Sequence, residues 1–369
     1  MKKLIFRKFI WDTSKFFISS LLLMGIIVWT LQAVNYFDFV TEDGHGLKVY
    51  FFYTILNLPK ILHRILPFIF FISIFYTIIS YELKNELNIF WINGIGKINF
   101  INKVIIFSIT LMIFQIILGS YISPNSQFKA RNYLKESNID FFTSLIKERK
   151  FINVMKGLTI FIDKKNEDGS YSDIFLDDST KNNSKMIYAK SGILIENEKQ
   201  KIFKLLDGRM INNENSKINI FDFNQIDFNL QDYTTTTIIV PKVQEISSIK
   251  LLSCIFNFDA GKNIYESFKC GENLKKEIIQ ELLKRFYKPI YIPVITILCS
   301  FLIIFSKNDI QYNKVKNLIF VLTFFLLIIS EASLRYSAIS SYSFLIYLLI
   351  PWVIFIFAYS FFYKMVKYV

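Results

Sequence analysis

From Phe16 to Phe37 the chain runs 22 residues without a charge. As a helix, a stretch of that length crosses the ~30 Å hydrocarbon layer of a bilayer, and it exceeds the ~7–15-residue apolar core of a cleaved signal. No small-residue cleavage site follows it, so it reads as a retained span. Ile65–Ser80 is a second uncharged run. In hydrocarbon every backbone N–H and C=O needs a partner inside the protein, which favours helices for such runs. Hydrophobic residues make up 53% of the 369 positions and Phe alone supplies 40, more than a water-soluble domain would use in unbroken runs.

The apolar pattern predicts six membrane helices in a 3+3 arrangement. They cover about Phe16–Phe39, Val49–Ser80, Ile98–Ile122, Phe286–Phe305, Leu318–Leu334 and Tyr342–Tyr363. Pro59 and Pro67 are expected to kink the second, Pro289 and Pro293 lie in the first turns of the fourth, and Pro351 lies inside the sixth.

Between the third and fourth helices the composition changes. Residues 123–284 are polar, with short alternating segments at Leu158–Asp163, Asp173–Leu176, Gly192–Glu196, Lys201–Leu205 and Lys217–Phe221. Asp168-Gly169, Asn182-Asn183, Asn197-Glu198-Lys199, Asp207-Gly208 and Asn212-Asn213 read as turns between them. Short strands at this spacing predict an all-β sandwich or jelly roll, followed by a charged helix over Glu272–Lys288. The expected fold class is an α-helical membrane protein with an inserted all-β, jelly-roll-like domain. Its parts are 1–122, 123–284 and 285–369.

Basic residues set the expected orientation. Lys2, Lys3, Arg7, Lys8 and Lys15 precede the first helix, and Lys84, Lys97 and Lys103 surround the second connection. Lys307, Lys314 and Lys316 lie between helices four and five, and Lys364 and Lys367 follow the sixth, whereas the alternate connections carry Lys48 and Arg335. This asymmetry places both termini in the cytoplasm and the β domain outside. The net charge of +13 is accounted for in the same way, and no basic helix or aromatic-basic platform suggests nucleic acid.

One short polar stretch sits between two apolar runs. Read as a helix over about residues 82–94, it puts Glu82 and Glu86 one turn apart on one face. Leu83, Leu87 and Phe90 or Trp91 fall on the other face, and Gly94 supplies the stop. Such a helix is a handle for a cytoplasmic partner, or else a solvated interfacial turn. Other groups are less specific. Glu331 and Arg335 have helical pair spacing, as do Lys60 and Arg64. Glu331 and Arg335 form either a salt bridge or interface anchor, or a guide for a charged substrate, and Lys60 and Arg64 carry the same ambiguity. Cys254 and Cys270 are either a disulfide in an oxidising compartment or two free thiols, and Cys299 reads as packing. His45 and His63 stand apart from other ligand-type residues, so no metal site is expected. Gly94-Ile95-Gly96-Lys97 and Gly261-Lys262-Asn263 lack phosphate-loop spacing, and no catalytic arrangement is visible.

The run from Leu58-Pro59-Lys60 through Leu66-Pro67, then Tyr81-Glu82-Leu83-Lys84-Asn85-Glu86-Leu87 and Asn93-Gly94, resembles the LptF/LptG permeases of the lipopolysaccharide exporter. Gly157–Ile162, Asp168-Gly169, Asp173–Leu176 and Ala189-Lys190-Ser191-Gly192 add to the likeness and look more like the F paralogue. Asn93 and Gly96 replace the family's usual small residue and serine around that glycine.

The resemblance implies six spans, a periplasmic β-jellyroll and a coupling helix between spans two and three. It implies an inner-membrane chain paired with an LptG-like paralogue and docked on an LptB-like ATPase dimer. ATP and Mg would belong to that ATPase, with no cofactor in this chain. Lipopolysaccharide would pass to LptC-like and LptA-like proteins. Glu86 matches the coupling carboxylate, with Glu82, Leu87, Phe90 and Trp91 beside it, and Gly94 matches the terminating glycine. Lys60, Arg64, Glu331 and Arg335 become candidates for the substrate path. A second class is a non-transporting mechanotransmission or scaffold protein with an outer ligand-binding β domain. That kind usually has four spans with the soluble domain after the first, so a 3+3 layout counts against it.

Overall fold

The computed structural model describes residues 2–37, 46–145, 148–155, 158–166, 168–179, 184–197, 200–214, 217–229, 241–256, 263–265, 268–270 and 272–368. His45, Gly157, Asn182-Asn183, Glu198-Lys199 and Gly261-Lys262 lie outside the described residues. Contacts divide the chain into two units. One comprises Met1–Val34, Thr54–Lys129 and Lys242–Val369, and the other Asn35–Tyr53 and Ala130–Pro241.

Among the described residues six helical stretches are long and apolar enough to cross a membrane: Lys2–Asn35, Leu47–Leu83, Lys97–Leu134, Leu274–Ile303, Tyr312–Tyr336 and Ser341–Lys367. They are spans 1 to 6 below. The first is helix α1 (Lys2–Asn35), which starts well before the expected Phe16. Phe6, Phe9, Thr13 and Phe17 recur at three- and four-residue spacing and are all buried, so the lysine-rich beginning is one amphipathic helix with the span.

Span 2 breaks at Asn57 into α2 (Leu47–Leu56) and α3 (Leu58–Leu83). Pro59 opens α3, where its missing N–H costs nothing, and Pro67 lies inside it. The short α4 (Glu86–Ile92) follows, then α5 (Lys97–Ile117), a π-turn (Leu118–Ile122) and α6 (Ser123–Leu145). The helix therefore continues beyond the expected end at Ile122.

After the β unit come α7 (Ser248–Phe256) and α8 (Glu272–Leu282). Span 4 runs from α8 through a π-turn (Leu283–Tyr287) and a 3-10 turn holding Pro289 into α9 (Tyr291–Ser300). Residues 242–284, expected with the β domain, group with the helices instead. Spans 5 and 6 are α10 (Tyr312–Tyr336) and α11 (Ser341–Tyr368).

The helical unit is centred on span 4. In α9 nearly every side chain is buried, from Tyr291 to Ser300. Spans 1, 5 and 6 instead leave one apolar side uncovered, including Leu23, Ile26, Phe325 and Phe357. A helix apolar all round with one uncovered side suits contact with lipid or with another membrane chain.

The β unit holds a six-stranded antiparallel sheet in sequence order: β1 (Lys150–Met155), β2 (Leu158–Lys165), β3 (Ser170–Asp178), β4 (Ser184–Asn197), β5 (Gln200–Glu214) and β6 (Lys217–Asn229). Its buried side chains, among them Leu158, Ile160, Ile174, Ile187, Phe203 and Leu205, come from the sheet itself. A single sheet can bury its own face only by folding over it.

The register shows where this happens. Asp173 and Asp207 have φ of 50° and 48°. The pairs Ser172↔Ser191 and Ala189↔Gly208 put both aspartates on one cross-strand row, with Lys190 between them. On either side of that row the inward positions change parity: Tyr171 but Ile174, Ala189 but Gly192, and Leu205 but Met210. A left-handed residue in a strand breaks the pleat and turns the strand. Aligned across the sheet, these breaks make a fold line. Gly192 lies beside it because a Cβ there would come within 2.5 Å of Ile174 Cδ1. Its bare backbone lets Tyr171 and Phe203 meet at 5.7 Å.

Asp207-Gly208 and Asn212-Asn213, expected as turns, therefore lie inside β5. Asp168-Gly169 is a true turn, with Gly169 at φ +80°. Ser170 donates its hydroxyl and its N–H to Asp168 Oδ1 at 2.6 and 3.0 Å, which holds that carboxyl below the usual carboxylate range. The fold is a helical membrane protein with a β domain inserted between spans 3 and 4.

Candidate functional site

The short helix α4 joins spans 2 and 3. Its expected form needs one correction. Glu82 and Glu86 do not share a helix, because α3 ends at Leu83 and Asn85 turns the chain at φ +59°. Asparagine tolerates this conformation better than most residues, and the turn separates the two carboxylates. Glu82 accepts the backbone N–H of Lys307 at 2.8 Å, while Lys307 Nζ donates to the Leu83 carbonyl at 3.1 Å. Glu82 thereby ties the connection between spans 4 and 5 to the end of span 2. Glu86 begins α4, where its charge suits the positive end of the helix dipole.

At the other end Gly94 has φ +67°. Its N–H donates to the Trp91 carbonyl at 3.0 Å and the Ile95 N–H reaches the Phe90 carbonyl at 3.0 Å, a Schellman ending. Leu87 and Phe90 are 1% and 0% exposed, so they anchor the helix within this chain. Trp91 is half-buried and meets Phe100 edge-on. The outward side is carried by Asn88, Ile89 and Ile92, the last 84% exposed. Ile92 was not singled out from the sequence, although its spacing places it opposite Leu87, and Ile89 stood out there only for the bulk of the tip Ile89-Phe90-Trp91.

The anchor is aromatic. Phe90 meets Phe6 at 5.3 Å and Phe100 at 4.9 Å, and Phe9 meets Tyr81 and Phe100 at 5.1 Å each, mostly edge to face. Such pairs add ~0.5–1.5 kcal/mol beyond their buried area. Around this hub lie polar ties. Tyr81 donates its hydroxyl to Asp12 at 2.6 Å, Lys8 pairs with Glu86 at 3.4 Å, and Lys2 Nζ donates to the Gly94 carbonyl at 3.4 Å. Phe6, Phe9 and Asp12 escaped the sequence reading, and Lys8 was read only for its charge, because the lysine-rich start looked like a tail. The spacing of Phe6, Phe9, Thr13 and Phe17 was the signal available.

A second polar cluster lies at the opposite ends of these helices. Glu331, expected to pair with Arg335, instead pairs with Lys288 of span 4, which is 4% exposed. Arg64 and Lys284 lie within electrostatic range of Glu331. Lys60 is half-buried and Arg64 exposed on successive turns of α3. Arg335 is exposed, and its carbonyl accepts from Gln280 at 2.7 Å. The structure thus pairs Lys288 with Glu331, with Arg64 and Lys284 in electrostatic range, and Arg335 is not the partner of Glu331.

Arg285, missed from sequence, is 1% exposed. Its guanidinium donates to Glu281, the Ile246 carbonyl, Ser248 Oγ and the Gln244 carbonyl, at 2.9, 2.8, 3.0 and 2.9 Å. This knits the chain returning from the β unit to span 4, and Ser248 passes the tie to the Ser120 carbonyl at 2.7 Å. Cys254 and Cys270 form a disulfide, Cα to Cα 5.9 Å, that holds α7 to the segment before α8. His63 is buried against Gly119, where a Cβ would lie 2.3 Å from its Nε2. Among the described residues no group of His, Cys, Asp and Glu is placed to hold a metal ion.

This arrangement offers a rigid, outward-facing helix between two spans and a basic cluster at their far ends, with no nucleophile–base pairing in either. Two comparisons with known proteins bear on the chain as a whole. The "Uncharacterized protein RP871" of Rickettsia prowazekii (strain Madrid E) is 25% identical over 233 residues, 60% of this chain and 64% of its own length. The chain therefore spans a little under two thirds of that relative. The family described as "Lipopolysaccharide export system permease LptF/LptG" matches residues 7–365, nearly the whole sequence, and the chain belongs to that family.

Proposed function

We propose that this chain is the permease subunit of an ABC-type exporter that extracts lipopolysaccharide from the inner membrane and passes it to a periplasmic bridge. The observation that carries the reading is α4: Leu87 and Phe90 lock it inward, while Ile89 and Ile92 face out, with the half-buried Glu86 at its start, between two spans of a chain matched along its length by the permease family. A separate LptB-like ATPase dimer docks there and supplies the ATP and Mg, and an LptG-like paralogue completes the transmembrane pair. Both termini and α4 lie on the cytoplasmic side, and the β domain lies in the periplasm.

The substrate carries acyl chains and phosphates. Acyl chains suit the uncovered apolar sides of spans 1 and 5, and phosphates suit Lys60, Arg64 and Lys288 at the outer ends, with Glu331 and Arg335 on the rim. The β domain folds an apolar face inward and ends in an edge strand, so it can pass acyl chains onward and pair with LptC-like and LptA-like β domains.

The test is co-purification of the chain with the ATPase and paralogue, followed by lipid-stimulated ATP hydrolysis, for wild type, Glu86→Ala and Glu86→Arg. Loss of docking or of lipid stimulation in the variants, greater for Arg, is the expected result. Full activity in both variants removes Glu86 from the mechanism. Failure of the wild-type chain to bind any ATPase favours a scaffold or mechanotransmission role.

A further inference from the structure

Most of the buried residues of helix α1 lie in its first half. Its buried residues are Phe6, Phe9, Thr13, Phe17 and Gly25, and none follows Gly25. Near that point a Cβ on Gly25 would lie 2.9 Å from Leu62 Cδ2, so α1 and α3 approach closely there. Beyond it Ile26, Ile27 and Leu31 are exposed. No proline interrupts the helix from Lys2 to Asn35, so its two halves move together.

The held half lies antiparallel along α4. Lys2 reaches the Gly94 carbonyl at the C-terminal end of α4, and Lys8 reaches Glu86 at its N-terminal end. Between these ties Phe6 and Phe9 pack on Phe90. Asp12 takes the Tyr81 hydroxyl, which adds the end of α3 to the same body. Lys103, on α5, sits 4.1 Å over the Phe6 ring. Close-packed rings of this kind transmit displacement rather than absorb it.

We propose that the first three turns of α1, through Phe6, Phe9, Lys8 and Asp12, are the element that carries a push on α4 into the membrane-spanning half of α1. These four are positioning residues, since they act on the path through α4. The inference rests on the reading of α4 as the ATPase docking helix, and it adds span 1 to the spans that α4 joins directly.

Two measurements test it. The first uses the chain alone in detergent and reads hydrogen exchange at the amides of Asn93, Gly94 and Ile95. Phe9→Ala is expected to speed exchange about tenfold, with Phe9→Leu near wild type, because the brace is lost in one and kept in the other. Unchanged exchange in Phe9→Ala overturns the brace. The second uses the assembled complex, with spin labels at Leu31→Cys on α1 and Ile329→Cys on α10. The wild-type distance is expected to shift between the nucleotide-free and vanadate-trapped states, and the shift is expected to fall below half in Phe9→Ala and return in Phe9→Leu. A wild-type shift in Phe9→Ala overturns the transmission even if α4 exchanges faster. Should Phe9→Ala not fold, Tyr81→Phe removes only the tie to Asp12 and is expected to shrink the shift in the same direction; an undiminished shift there counts against the proposal. A wild-type chain that binds no ATPase overturns the docking reading, and transmission with it, and is recognised by needing no mutation.

Discussion

The two ends of the helical unit are held by opposite means. At α4 the ties between helices are rings: Phe6, Phe9, Phe90 and Phe100 bury one another, and the ion pair Lys8–Glu86 lies at the partly exposed edge. At the far end the ties are charges: Arg285 and Lys288 are almost fully buried, and Glu281 and Glu331 answer them. Ring packing is short-ranged and less exacting in direction than ion pairing, so it holds helices as one body while leaving a face free. A buried ionic network is directional, and each member is costly to leave unpaired. On the proposed function, α4 is pushed and the far end meets charged groups, and those two tasks would place different demands on packing.

The sharpest way to break this contrast is at Arg285. Arg285→Ala leaves Glu281 paired with Lys284 alone and removes the donor from the Ile246 and Gln244 carbonyls and from Ser248 Oγ, and it is expected to destabilise the unit by ~3–5 kcal/mol. Arg285→Lys, which cannot supply the same fork of donors, is expected to recover less than half. Thermal unfolding in detergent measures both. A loss under ~1 kcal/mol for Arg285→Ala would show that water or lipid replaces the guanidinium.

The apolar end should respond to volume instead of donors. Phe90→Ala opens a cavity worth ~3–4 kcal/mol, whereas Phe90→Leu is expected to cost less than half of that. If the two variants are equal, the edge-to-face geometry rather than filled space holds α4. Smaller again is Gly94→Ala, where an L-residue at φ +67° is expected to cost ~1 kcal/mol and loosen the C-terminal end of α4, seen as faster exchange at Ile95.

The weakest term lies in the β unit, where a carboxylate is bonded but exposed. Asp168 has its pKa lowered by the Ser170 hydroxyl and N–H. Its contribution is therefore present above the ordinary aspartate range and is lost as pH falls through the lowered value. Ser170→Ala is expected to raise the Asp168 pKa toward the ordinary range, read by NMR titration, with little change in melting temperature.

The contrast also explains what could be read from the residues alone. Long uncharged runs such as Phe16–Phe37 reveal spans because hydrocarbon admits little else. The Leu87, Phe90 and Gly94 pattern revealed α4, but the break at Asn85 is a backbone choice that helical spacing cannot show. The start of α1 carried two signals, basic residues at Lys2, Lys3, Arg7 and Lys8 and a buried stripe at Phe6, Phe9 and Thr13; the charges hid the stripe. Strands were legible as halves because inward positions switch parity at the row of Asp173, Lys190 and Asp207, so alternation stops at the fold line. Lys288–Glu331 and Arg285–Ile246 join residues far apart in sequence, and no local pattern announces such pairs. The spacing of Cys254 and Cys270 left their pairing open, and it took the proximity of α7 to the start of α8 to decide it.

The central claim is that α4 presents Ile92 and Ile89 outward to an ATPase while Leu87 and Phe90 stay inside this chain. A photo-crosslinking side chain at Ile92, and separately at Leu87, tests it in intact cells. The account predicts a crosslink to a cytoplasmic ATPase from position 92, and from position 87 none to that ATPase. An ATPase crosslink from 87, or only lipid adducts from 92, would contradict it.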